Sequence, residues 1–175
     1  MIGEKIFDCR EMFSHACTFV ECANLALNKL QHDTAPIGFY SIPSVVNYSF
    51  ACEVFLKAIL VWYEVPPRKQ HELLELYQAT PQSVQDSIKN ITQNNYAGQW
   101  TNVWGVKYLK QLSNSFAKCR YLYEHNFSQQ GSVHIEVGFL VAFCNALREV
   151  CCKLFYSQTW EEFATGQLPK GEQNG

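Results

Sequence analysis

The apolar positions of this chain recur at steps of three and four residues, the spacing that places side chains on one face of an α-helix. The first such stripe predicts a helix from about residue 8 to residue 31, with Asp8 as its N-cap. Its apolar members are Phe13, Cys17, Val20, Ala23, Leu27 and Leu30. Residues 32–43 contain two prolines and a glycine and are predicted to form a loop.

A second helix is predicted over residues 44–63. Its apolar residues cover most of the helix circumference, so we expect it to be the central and most buried helix. Pro66 and Pro67 end it, because proline cannot continue a helical hydrogen-bond ladder. Shorter helices are predicted over residues 71–78 and, after Pro81, over residues 82–91.

The second half of the chain predicts two more long helices. One starts at Thr101 or Asn102 and carries a heptad-like seam, which packs against a partner helix or a second subunit. The seam consists of Leu109, Leu112, Phe116, Cys119 and Tyr123. The other spans about residues 133–156, after a glycine-containing break at 128–132. The pattern predicts an all-α, four-to-five-helix bundle forming a single domain over residues 1–165, with a flexible tail at 166–175.

Composition narrows the class of protein. The chain has 175 residues, of which 47% are hydrophobic and 17% charged, which is typical of a folded domain and excludes global disorder. The net charge of -2 gives no overall attraction to nucleic acid. An RNA partner would therefore need a local binding site.

The eight cysteines show neither a paired Cys-x-x-Cys spacing nor a Cys/His zinc knuckle, so we expect free thiols, no metal and no cofactor. The N-terminus lacks a secretory apolar region. The longest apolar runs, residues 54–63 and 137–147, are too short or too interrupted to span a bilayer. The sequence therefore predicts a cytoplasmic protein with no membrane partner.

One constellation could carry chemistry, an arginine followed by a histidine after four residues: Arg120 and His125. Arg10 and His15 have the same spacing, so spacing alone does not decide between them. In the simplest structural interpretation Arg120 pairs with Glu124, and His125 lies at a helix end.

Two further residues, Glu53 and His71, have side chains that can form ion pairs or hydrogen bonds. Glu53 can pair with Lys57 on its own helix or reach Arg120 and hold it. His71, which begins the short third helix, is interpreted as a structural histidine.

Three segments in order resemble the HEPN (higher eukaryotes and prokaryotes nucleotide-binding) family. The first is Ser49-Phe-Ala-Cys-Glu53-Val-Phe-Leu-Lys57-Ala-Ile-Leu, similar to the second-helix pattern of that family. The second is His71-Glu-Leu-Leu-Glu-Leu, similar to its His-x-Leu step. The third is Phe116-Ala-Lys-Cys-Arg120-Tyr-Leu-Tyr-Glu124-His125, similar to its Arg-x(4-6)-His motif.

The resemblance implies a dimeric helical bundle in which two Arg-His pairs meet and cleave RNA without metal. It assigns catalysis to Arg120 and His125, with Glu53, Tyr121, Tyr123 and Glu124 in support. It also implies a toxin, defence or RNA-processing setting, with an antitoxin or another protein as a further partner. Catalytic members usually carry a polar residue where this chain has Tyr121. The alternative is therefore an inactive HEPN-like module that dimerises or binds a partner.

Overall fold

The computed structural model describes residues 7–32, 38–66, 70–96, 107–113 and 135–166, and every regular element within these ranges is a helix. The helices are α1 (Cys9–His32), α2 (Gly38–Trp62), α3 (Leu73–Gln78), α4 (Gln82–Asn95), α5 (residues 107–113), α6 (Val137–Tyr156) and α7 (Trp160–Thr165). The all-α class predicted from the apolar periodicity is confirmed.

Helix α2 lies at the centre of the packing, as its apolar circumference predicted. It contacts α1, α3 and α6, while α6 also packs against α4 and α7. Its fully buried side chains include Phe55, Leu56, Ile59 and Leu60. The Tyr48 hydroxyl donates a hydrogen bond to the Asn24 side chain and joins α2 to α1. Removing these apolar surfaces from water is the main stabilising contribution to the bundle.

The ends of α1 and α2 differ in how well the sequence predicted them. Asp8 caps α1 as expected, because its side chain accepts hydrogen bonds from the backbone N–H groups of Arg10 and Glu11. The predicted loop over 32–43 is wrong at 38–43, where α2 has already begun and contains Pro43. A proline inside a helix removes one backbone hydrogen bond, and the two residues that follow it, Ser44 and Val45, are buried.

Two other boundaries differ from their predictions. Helix α4 runs to Asn95 rather than to residue 91, and Thr92 in this added turn is buried, with its hydroxyl donating to the carbonyl of Ile88. Helix α6 begins at Val137, four residues after the predicted start. The sequence patterns did not predict α7. It begins with a capping box between Thr159 and Glu162, a strong local signal for a helix start.

The segment Ile42–Trp62 of α2 is long and apolar enough to cross a membrane by length and composition. The prediction that all apolar runs are too short was therefore too strict, since it counted runs rather than the whole helix. About two-thirds of this segment (67%) is buried inside the bundle, as in the core helix of a soluble protein, so the signal is weak.

The described thiols and the start of the seam match their predictions. The seven described cysteines are all free, and Cys119 lies outside the described residues. Leu109 and Leu112 are buried in the core of this chain. This part of the seam therefore packs within the chain, one of the two alternatives that its pattern allowed.

Candidate functional site

The predicted site residues fall largely outside the described ranges. Arg120, Tyr121, Tyr123, Glu124 and His125 all belong to residues 114–134, whose placement the structure does not describe. Their roles stay predictions. Glu53 is the predicted site residue that the structure describes.

Glu53 lies on α2 and is almost fully buried, with a side chain 7% exposed. Its Oε1 atom lies 2.7 Å from the Lys57 ammonium and 2.9 Å from Nδ1 of His71. The pair with Lys57, one helical turn on, confirms the first of the two alternatives for Glu53. The contact with His71 was not predicted, because it joins residues that are 18 positions apart.

The two partners of Glu53 differ in exposure. The Lys57 side chain is 15% exposed, so little solvent screens its attraction to the buried carboxylate. The His71 side chain is 71% exposed, so solvent screens its contact with Glu53. His71 is therefore a bonded histidine, as interpreted from the sequence, with much of its ring facing solvent.

The described part of α5 bonds to the start of α3, which follows His71. The backbone N–H of Leu73 donates a 2.8 Å hydrogen bond to the Ser113 hydroxyl, which in turn donates to the carbonyl of Leu109. Leu73 begins α3 two residues after His71, and Ser113 precedes Arg120 by seven residues. The chain thus brings the Glu53 segment, the His71 segment and the residues just before the Arg120 segment to one region of the bundle.

The second Arg-His motif, Arg10 and His15, has a structural role in the described part of the chain. The guanidinium of Arg10 donates a 3.0 Å hydrogen bond to the carbonyl of Phe155 and lies 5.3 Å from the ring centroid of Tyr156. A cation at the carboxyl end of α6 satisfies a carbonyl that the helix leaves unpaired and interacts favourably with the helix dipole. His15 is exposed on α1. Arg10 therefore joins the start of α1 to the carboxyl end of α6.

Sequence reasoning missed Arg148, the most unusual charged residue that the structure describes. Its side chain is 12% exposed, and its guanidinium carbon lies 3.9 Å from the ring centroid of Trp160. One Nη2–H donates to the Asn145 side-chain oxygen at 3.0 Å. Its Nε–H is buried without a hydrogen-bond partner in the described structure. The available sequence signal was an arginine next to the apolar stripe of α6, between Leu147 and Val150.

Arg148 lines a cleft of about 370 Å³ between α4, α6 and the start of α7. The lining residues are Ile91, Asn94, Asn95, Asn145, Arg148, Glu149, Lys153 and Trp160. Glu149 is occupied by protein partners, since it accepts a 2.7 Å bond from the backbone N–H of Trp160 and lies 3.1 Å from Lys153. The cleft therefore combines one largely buried cation with three side-chain amides.

Neither metal binding nor a thiolate nucleophile is favoured in the described part of the chain. No group of three or more metal-ligating side chains occurs there. Burial raises the pKa of the Cys17 and Cys152 thiols to about 12, and it raises the pKa of the Cys151 thiol well above its usual value, so these thiols stay protonated at neutral pH.

Comparison with known proteins gives no relative. No family model, no curated protein and no solved structure matches this chain. The functional interpretation accordingly depends on the residues of the chain itself.

Proposed function

We propose that this chain is a HEPN-type domain that acts as a metal-independent endoribonuclease, with Arg120 and His125 as its catalytic residues. Two chains would each contribute one Arg-His pair to a composite site at a dimer interface. Glu53, Tyr121, Tyr123 and Glu124 would support that site.

One observation carries the proposal: the first two segments that resemble the family meet in the fold, and the last described residue before the third segment bonds to the second. Glu53 and His71, from the first two segments, bond to each other at 2.9 Å. Ser113, three residues before the third segment begins at Phe116, bonds to Leu73 at 2.8 Å. Residues that build one site must be adjacent in space, and the described contacts meet that requirement for the first two segments.

The use of Arg10 also supports the choice between the two Arg-His motifs. Arg10 is engaged by Phe155 and Tyr156 at the end of α6, which gives that arginine a structural role. The N-terminal motif thus has a purpose apart from catalysis. We therefore assign the chemistry to the other motif, Arg120 and His125.

The residue types suit cleavage through the ribose 2′-hydroxyl. A histidine near its usual pKa can remove the 2′-hydroxyl proton, or donate a proton to the departing 5′-oxygen, at neutral pH. An arginine stays charged and stabilises the negative charge that grows on the phosphate oxygens in the transition state. Attack by the 2′-oxygen on phosphorus leaves a 2′,3′-cyclic phosphate.

The test uses the purified full chain with varied single-stranded and structured RNAs in excess EDTA. We expect cleavage to persist, products to end in a 2′,3′-cyclic phosphate, and DNA to stay intact because it lacks the 2′-hydroxyl. His125→Ala should lower the rate by about two to four orders of magnitude, and Arg120→Ala by a similar factor. His15→Ala is the matched control and should leave the rate unchanged.

Two outcomes would reject the catalytic proposal: no cleavage of any RNA, or equal sensitivity to His15→Ala and His125→Ala. Each variant must keep the helical circular-dichroism spectrum of the wild-type chain for the comparison to count. If the chain binds a protein partner and cleaves nothing, it is the inactive HEPN-like module instead.

The composite site requires a homodimer. Light scattering coupled to gel filtration at micromolar concentration should give about twice the mass of one 20.1 kDa chain. A monomer at that concentration would contradict both the dimer and the composite site.

A further inference from the structure

We infer that the cleft between α4, α6 and α7 is a binding site for a small ligand bearing an oxyanion, either a carboxylate or a phosphate, with Arg148 as its anchor. This site involves none of the proposed catalytic residues, so the inference is independent of the ribonuclease proposal.

The charge of Arg148 is poorly compensated by the protein. The nearest carboxylate oxygen in the described structure, Oε1 of Glu21, lies 3.9 Å from Nη1, which is beyond hydrogen-bond distance. The Glu21 side chain is 63% exposed, so water screens this pair strongly. A largely buried cation is costly unless it is paired, and an oxyanion supplied by a ligand would provide that pairing.

The hydrogen-bonding capacity of Arg148 is also incomplete. A guanidinium offers five N–H donors, and in the described structure Asn145 accepts one of them at 3.0 Å. The fork of N–H groups matches the two oxygens of a carboxylate or phosphate. Trp160 stacks on the guanidinium at 3.9 Å and holds its plane, which reduces the conformational entropy lost on binding.

The remainder of the cleft fits a small polar molecule. Asn94, Asn95 and Asn145 present amide groups that can both donate and accept, and Ile91 adds an apolar surface. A volume of about 370 Å³ exceeds that of a single inorganic anion and lies within the usual range for small-molecule sites. Glu149 adds little repulsion, because Lys153 and the Trp160 N–H already bind its carboxylate.

Titration calorimetry on the full chain, at constant ionic strength set with sodium chloride, tests the site with inorganic phosphate and acetate as separate probes. We expect saturable one-site binding in the millimolar range for at least one probe. A tighter phosphate isotherm identifies a phosphate-bearing ligand, and a tighter acetate isotherm identifies a carboxylate. The absence of saturable binding of both probes would overturn the inference.

Arg148→Gln should weaken binding about tenfold or more, the loss expected for a bidentate charge-assisted contact. Arg10→Gln is the matched control, because Arg10 also lies against an aromatic ring on α6 but borders no part of this cleft, and it should bind as the wild type does.

A second variant distinguishes a loss of binding from a loss of structure. Arg148→Gln removes the Trp160 contact and could loosen α7. Asn94→Asp instead introduces a negative charge from an exposed position on α4 and leaves Arg148 intact. It should weaken binding about threefold or more through like-charge repulsion. Unchanged affinity in both variants would show that the anion binds elsewhere, and Arg148 would then serve only to hold α7 against α6.

Discussion

Glu53→Gln is the substitution whose effect the structure defines most sharply. The amide keeps the size of the side chain and one acceptor oxygen but removes the negative charge. Lys57 would then lie 2.7 Å from a neutral group while its own side chain is 15% exposed. The loss is concentrated on this contact, because His71 is 71% exposed and its interaction with Glu53 is screened by water.

The magnitude follows from these contacts. A hydrogen bond to a charged group contributes about 1.5–3 kcal/mol, and removing one partner of a fully buried ion pair costs about 3–5 kcal/mol. Glutamine retains an acceptor and the pair is partly solvated, so we expect Glu53→Gln to lower the free energy of unfolding by about 2 kcal/mol. Glu21→Gln is the control: that carboxylate lies 3.9 Å from Arg148 and is 63% exposed, so its loss should cost about 0.5 kcal/mol or less.

Urea unfolding followed by circular dichroism at pH 7 measures both variants. Lys57→Met and the double variant complete a thermodynamic cycle, in which Glu53→Gln should cost about 1–2 kcal/mol less once Lys57 is gone. The reasoning fails if Glu53→Gln costs no more than Glu21→Gln, or if the cycle shows no coupling between the two positions.

Three further predictions concern buried side chains. Phe13→Ala should lower the free energy of unfolding by about 3–5 kcal/mol, because Phe13 is buried and its ring centroid lies within 6.1 Å of the centroids of four other aromatic rings. The control is Phe7→Ala: Phe7 is exposed, so this substitution should change the free energy of unfolding by about 0.5 kcal/mol or less in the same urea assay. At pH 8 a thiol reagent should label the exposed Cys22 of the native chain well before Cys17, whose pKa burial raises to about 12, and equal native labelling rates by peptide mass spectrometry would contradict this. Because the folded-state pKa of Cys17 lies above its ordinary value of 9.0, its thiol should also make the folded state progressively less stable as the pH rises above about 9.

The sequence by itself determined the helical class, the central position of α2 and the cap of α1. These features depend on local information: the spacing of apolar residues, the apolar circumference of one segment, and the short reach from Asp8 to the next backbone N–H groups. The Glu53–Lys57 pair was predictable for the same reason, since residues four apart on a helix are neighbours wherever the helix lies.

Only the tertiary structure decided the contacts between segments that are distant along the chain. Nothing in the local pattern indicates that His71 meets Glu53, that Ser113 meets Leu73, or that Arg10 reaches the carbonyl of Phe155, 145 positions away. The start of α2 at Gly38, before Pro43, also departs from the local preference of proline to end or begin a helix. The cleft beside Arg148 is lined by residues of three helices, α4, α6 and α7. Helical periodicity predicts which face of its own helix a residue lies on, but it does not predict which other helix packs against that face.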